Sequence, residues 1–160
     1  MPPCTCRIPR VATKVPTVRT VGGVQFHAAL AGERCPGCDD TRVPRAVLER
    51  FELAVAADLT RAGVFSADAL RFQRKALGFS VTAFAALIDV ATETVSRWET
   101  GKVPAPILVS ATLGALALDR LAGRTVTAEA LRALLHPSPP GTERHLPEVP
   151  AAPPPLETPP

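Results

Sequence analysis

A chain of 160 residues with a net charge of +3 has room for one ordinary domain or two small ones, and its mild basicity permits an anionic partner without demanding one. Only 4% of the residues are aromatic, with one Trp, no Tyr and six Phe; this argues against an all-β sandwich and for small helical domains rich in Ala, Leu and Val. No apolar run approaches the roughly 20 residues of a membrane span, and the opening string MPPCTCRIPR lacks the apolar stretch of a secretory signal, so no membrane partner and a cytoplasmic location are expected.

Residues 1–40 hold all four cysteines, as Cys4-Thr5-Cys6 and Cys35-Pro36-Gly37-Cys38. Between them, Thr17–Val21 and Val24–Ala28 alternate around Gly22-Gly23, the signature of a β-hairpin with a two-residue turn and cysteines at its open end. Residues 41–65 read as a connecting amphipathic helix. Pro44 suits its first position, Val47, Leu48, Phe51, Val55 and Leu59 form the apolar stripe, and Gly63 stops it. Residues 66–136 read as a helical domain. Ser66 caps a helix that closes at Gly78, Ser80 caps another over 81–88, and a third runs from Thr92 to about Thr100 before Gly101 and Pro104. Ile107–Leu118 is a strongly apolar helix, and Thr127 is expected to cap a last one through Leu135. Ten of the 18 prolines fall within 137–160, which predicts a disordered, proline-rich tail.

About 40 residues are too few for a self-sufficient core, so the first module needs a cross-link or a metal. The Cys35/Cys38 spacing lets two thiolates grip one tetrahedral ion across a Pro-Gly knuckle, and with Cys4 and Cys6 it predicts a structural Zn²⁺ site. The single residue between Cys4 and Cys6 makes a tighter chelate, and His27 is the substitute ligand if either drops out. Nothing resembling a thioredoxin βαβ pattern surrounds the CxxC, which argues against a redox dithiol. Four thiolates would also close the coordination shell against an activated water, which argues against a catalytic zinc.

In the stretch from Val81 to Glu99, Ala85 is small enough for a close helix crossing, while Ala91, Val95 and Trp98 share one side of the last helix. Asp89 occupies the turn position usually given to a left-handed glycine, a conformation Asp tolerates. Thr92, Glu93, Ser96 and Arg97 fall on the other side and are expected to face outward as hydrogen-bonding groups for a DNA major groove. Arg97 suits guanine O6 and N7, Glu93 a cytosine amino group, and Thr92 and Ser96 a base edge or phosphate. Ser80 and Lys102, flanking the motif, are expected to hold phosphates and set the register.

The strings LRFQRKALGF, FAALIDV and TVSRWETGKVP resemble the Xre/Cro-type helix-turn-helix family. The resemblance implies that Arg74 pairs with Glu99, and it departs at Val81, where a phosphate-binding glutamine is frequent. With the two cysteine pairs, the hairpin and the connecting helix, residues 4–118 further resemble MqsA-type antitoxins, which join a YgiT-type zinc finger to an Xre-type domain. That family's first pair is usually CxxC, whereas CxC stands here. This resemblance implies a mainly α, two-domain protein with a small β zinc-finger module and a C-terminal Xre/Cro-like helical bundle. It further implies a homodimer that binds double-stranded DNA and represses its own operon, with a zinc module that neutralises a protein toxin of the mRNA-cleaving RNase type. A regulator without a toxin, or a protein-interaction adaptor, would carry the same architecture. No nucleophile motif or phosphate-cradling glycine loop is present, and an enzyme is not expected.

Overall fold

A computed structural model describes residues 4–136; the segment expected to be a proline-rich tail lies outside them. Its first element is a hairpin of β1 (Val11–Val21) and β2 (Val24–Arg34), paired antiparallel from Val21↔Val24 to Val11↔Arg34. Gly22 and Gly23 both have positive φ, at 57° and 82°, which is what a two-residue turn matched to the strand twist demands. The ladder extends past the alternating core of the motif at both ends. Pro16 does not interrupt it because β1 is an edge strand, where a missing N–H is tolerated. A short third strand, β3 (Thr41–Arg42), was not legible in the sequence and pairs with Glu33 and Arg34. Gly32 admits it, since a Cβ there would stand 2.5 Å from the Arg42 carbonyl oxygen.

The next element, α1 (Arg45–Arg61), is more than a connector. The expected stripe of Val47, Leu48, Phe51, Val55 and Leu59 packs with Val21, Leu30 and Ala69 in one apolar cluster. Leu53, Ala56 and Ala57, on another side of the helix, join a second cluster with Leu70, Leu113, Leu116 and Ala117. A helix buried on two sides joins the sheet to the helical bundle, and Phe72 packs against both clusters.

The bundle comprises α2 (Ala67–Ala76), α3 (Val81–Leu87), α4 (Thr92–Glu99), α5 (Ile107–Leu121) and α6 (Val126–Leu135). Ser66 and Ser80 cap α2 and α3 as expected, their hydroxyls accepting from the Ala69 and Ala83 N–H groups at 3.2 and 3.0 Å. The last helix departs from expectation. It begins before Thr127, whose own N–H donates to the Asp119 carboxylate at 2.7 Å, so a side chain from α5 satisfies the orphan donor. Where α1 crosses α5, Gly114 lets the helices touch: a Cβ there would lie 2.4 Å from Thr60 Oγ1. Thr60 also donates to the Ser110 carbonyl and accepts from Gln73, so a polar seam runs through this junction.

Candidate nucleic-acid interface and metal centre

The segment α3–turn–α4 is built around a few buried side chains. Phe84 and Val95 are fully buried, Ala85 sits at the crossing, and Trp98 is 7% exposed. Asp89 adopts the left-handed conformation at φ 55°, and the chain folds back so that the Val90 N–H reaches the Ala85 carbonyl at 3.0 Å. An aspartate does what a glycine usually does because its short side chain tolerates that region. Ala91 departs from its expected place with Val95 and Trp98: it is exposed at the N-cap of α4, where its carbonyl accepts the first N–H bonds of the helix.

With Val95 and Trp98 inside, Glu93, Ser96 and Arg97 stand exposed on the opposite side of α4, and Thr92 is half-buried at its start. Eight residues at 1.5 Å rise give a helix about 12 Å long, the width of a B-DNA major groove. Ser80 is exposed at the head of α3, its oxygen committed to the cap and its O–H free to donate. Lys102 is exposed in the turn that follows α4, after Gly101 at φ 70°.

Behind this surface, Arg74 on α2 makes a two-pronged ion pair with Glu99 at the end of α4, at 2.5 and 2.8 Å, and also donates to the Phe79 carbonyl at 2.6 Å. Both side chains are nearly buried, at 6% and 7% exposure. This is the pairing that the family resemblance implies. Three elements are pinned at one guanidinium, which fixes α4 relative to the rest of the bundle.

Residues 70–116, from α2 into α5, match the helix-turn-helix family model HTH_3. A helix-turn-helix domain is therefore present over this stretch. The match supports a DNA-binding transcription regulator and a double-stranded DNA partner, and its family is a non-enzymatic DNA-binding one. Comparison with curated proteins and with solved structures gave no match. Among the described residues no helix is long and apolar enough to cross a membrane.

At the open end of the hairpin, the sulfurs of Cys4, Cys6, Cys35 and Cys38 all lie within 4.8 Å of one another, with Cys4 and Cys38 Sγ at 3.4 Å. Four thiolates around a tetrahedral ion at about 2.3 Å would be spaced by about 3.8 Å, so the cluster is close enough to hold one metal ion. The CxC spacing does not prevent this, since Cys4 and Cys6 both reach the same cluster. His27 is not part of the cluster: it stands on β2 opposite Val18, towards the Gly22-Gly23 end of the ladder.

Local backbone shapes this cluster. The Asp39 N–H donates to the Cys35 carbonyl at 2.9 Å and the Cys35 N–H to the Asp40 carbonyl at 2.8 Å, closing a knuckle in which Asp39 is left-handed at φ 58°. Gly37 allows the two cysteine segments to meet, since a Cβ there would lie 2.8 Å from Ile8 Cδ1 and 3.4 Å from Cys6 Sγ. Arg10 then ties the segments together through an ion pair with Asp40 and a 3.1 Å bond to its carbonyl. Sequence reasoning missed Asp39, Asp40 and Arg10; an aspartate directly after the second cysteine, able to turn left-handed, was the available signal.

The thiols do not share their protons evenly. The Gly37 N–H, followed by bonds from Cys38 and Cys4, lowers Cys35 to about 7 against the cost of its burial. Cys38 is pushed up to about 12: the Asp40 N–H favours its thiolate, but the bonds shared with Cys4 and Cys35 and the loss of solvent outweigh that. A cation held by Cys4, Cys6, Cys35 and Cys38 would take the place of these shared protons, which its uptake would release.

Proposed function

We propose that this protein is a sequence-specific repressor that reads the major groove with α4, and that it acts as the antitoxin of a toxin–antitoxin pair. The observation that carries the DNA reading is the division of α4: Val95 and Trp98 are buried while Glu93, Ser96 and Arg97 are exposed together. Arg97 reads guanine, Glu93 accepts from cytosine, and Thr92 and Ser96 contact a base edge or phosphate; Ser80 and Lys102 hold the flanking phosphates. Arg74 and Glu99 act from behind by holding α4 at a fixed angle.

In this reading Cys4, Cys6, Cys35 and Cys38 hold a structural Zn²⁺. An all-thiolate set favours zinc over magnesium or calcium, and four protein ligands leave no place for a reactive water. The protein works as a homodimer on double-stranded DNA in the cytoplasm. Of the α5 residues Ile107, Leu108, Leu113, Leu116 and Leu118 that the sequence offers for its interface, Leu113 and Leu116 are buried in the core, and the exposed Ile107, Leu108 and Leu118 remain as candidates. The antitoxin role rests on the order of parts, a cysteine-clustered hairpin followed by a helix-turn-helix domain, with the first module available to a toxin of the mRNA-cleaving RNase class.

Arg97→Ala tests the DNA reading. It should cost about 1–3 kcal/mol in binding to a duplex selected by the wild-type protein from a random pool, with little loss on random DNA. Equal losses on both would make Arg97 a phosphate contact, and no preference for any duplex would end the reading. Co-purification from the native host with metal analysis tests the other two parts: zinc at one ion per chain and a small toxic partner are the expected results.

A further inference from the structure

Where α1, α2 and α5 meet, a cleft of about 600 Å³ is lined by Arg45, Glu49, Arg50, Glu52, Lys75 and Arg120. Both carboxylates are already answered. Glu49 takes Arg45 at 2.7 Å, and Glu52 takes Arg19 of the hairpin. Arg50 and Lys75 are exposed and have no ion-pair partner among the described residues. Arg120 spends one N–H on the Leu77 carbonyl at 2.6 Å and keeps the rest of its fork. Three uncompensated cations around one concavity repel each other and attract an anion.

The position of the cleft indicates which anion. Its wall includes Gly78, whose Cβ position is 3.9 Å from Arg120 Nη1. Gly78 is two residues from Ser80, so no more than about 7 Å of chain separates the cleft from the edge that abuts a duplex when α4 lies in the major groove. A duplex seated on α4 and Ser80 would carry further phosphates on both sides of that site, within reach of a wall only two residues from Ser80, whereas α1 lies wholly outside the matched residues 70–116.

We propose that the cleft of Arg50, Lys75 and Arg120 is a second, sequence-independent contact with the phosphates of duplex DNA flanking the site read by α4. The inference rests on the DNA-binding role proposed for α4. It gives α1 a part in the footprint and adds affinity without adding selectivity, because phosphates carry no base code.

The test uses the full-length protein, the duplex selected from a random pool, a random duplex of equal length (about 30 bp), and a salt titration. The double variant Arg50→Gln, Lys75→Gln removes two exposed charges that make no other bond in the described structure. The slope of log K against log salt should become shallower by roughly 2, at about 0.9 for each phosphate no longer neutralised. Affinity should fall by the same factor on both duplexes, the opposite signature from Arg97→Ala. An unchanged slope in a protein that still selects its duplex would overturn the cleft contact and leave the α4 reading standing. So would an unchanged slope together with lost binding of inorganic pyrophosphate, which would make the cleft a small-anion pocket. Failure of the wild-type protein to select any duplex would remove both.

Discussion

The two ends of this molecule are held together by different physics. The bundle end buries Phe84, Leu70, Val95 and Leu113 almost completely and locks α2 to α4 with the Arg74–Glu99 pair. The cysteine end buries little besides Cys35, and its shape comes from backbone bonds in the knuckle, the Arg10–Asp40 pair and four converging sulfurs. A bundle with its own apolar interior folds from within, while a short loop-rich segment needs an external ligand to reach the same order. Between the two lies the hairpin, which belongs to both. Its Gly22-Gly23 turn rests on the start of α2, where a Cβ on Gly22 would lie 2.5 Å from Val64 and where the Gly22 N–H donates to Asp68 at 3.2 Å.

If the four cysteines hold zinc as proposed, the sharpest way to break this contrast is to remove it. Apparent binding energies of about 10–16 kcal/mol for structural zinc sites are folding energy, so chelation or Cys35→Ser should abolish amide protection around Thr41, Arg42 and the open end of β1 and β2. Protection in α2–α5 and near Gly22 should survive. Loss of both in hydrogen exchange would mean the two ends form one cooperative unit. A complementary break is Glu99→Gln, which leaves a buried Arg74 without its carboxylate. About 3–5 kcal/mol should be lost in denaturant unfolding of the bundle, while metal content stays at its wild-type value.

Smaller changes sharpen the boundary. Gly22→Val combines a left-handed backbone with a clash against Val64 and should cost at least about 1–2 kcal/mol, loosening the turn end of the hairpin but leaving the sulfur cluster able to take metal. The smallest effect concerns α6. Asp119 is held below its ordinary value of 3.8, first by the Thr127 backbone N–H and then by the Thr127 hydroxyl. Since its carboxyl is more acidic folded than unfolded, its stabilisation is present above the unfolded value and is lost as pH falls through the lower, folded one. Asp119→Asn should therefore lower stability near neutrality and flatten the acid limb of the stability curve, with the change in exchange confined to α6.

Several features were legible because they depend on neighbours in the chain. The Gly-Gly turn, the caps at Ser66 and Ser80, the left-handed Asp89 and the burial of Val95 and Trp98 follow from local conformational preference and a 3.6-residue period. In α1 only one of its two buried sides was visible. Phe51, Val55 and Leu59 announce themselves by size, whereas Ala56 and Ala57 are buried only because α5 comes close at Gly114. The Thr127 cap failed for a related reason: the acceptor that serves that helix start is Asp119, eight residues away on another helix.

The sequence by itself determined the helix-turn-helix segment, its two faces and the presence of two thiol pairs, since each is a matter of short-range spacing along the backbone. Only the tertiary structure decided that all four sulfurs meet while His27 stays apart, that β3 closes the knuckle, and that cations from α1, α2 and α5 share one cleft. Those are encounters between residues far apart in the chain, and they are set by which surfaces bury one another rather than by any pattern that neighbours can spell out.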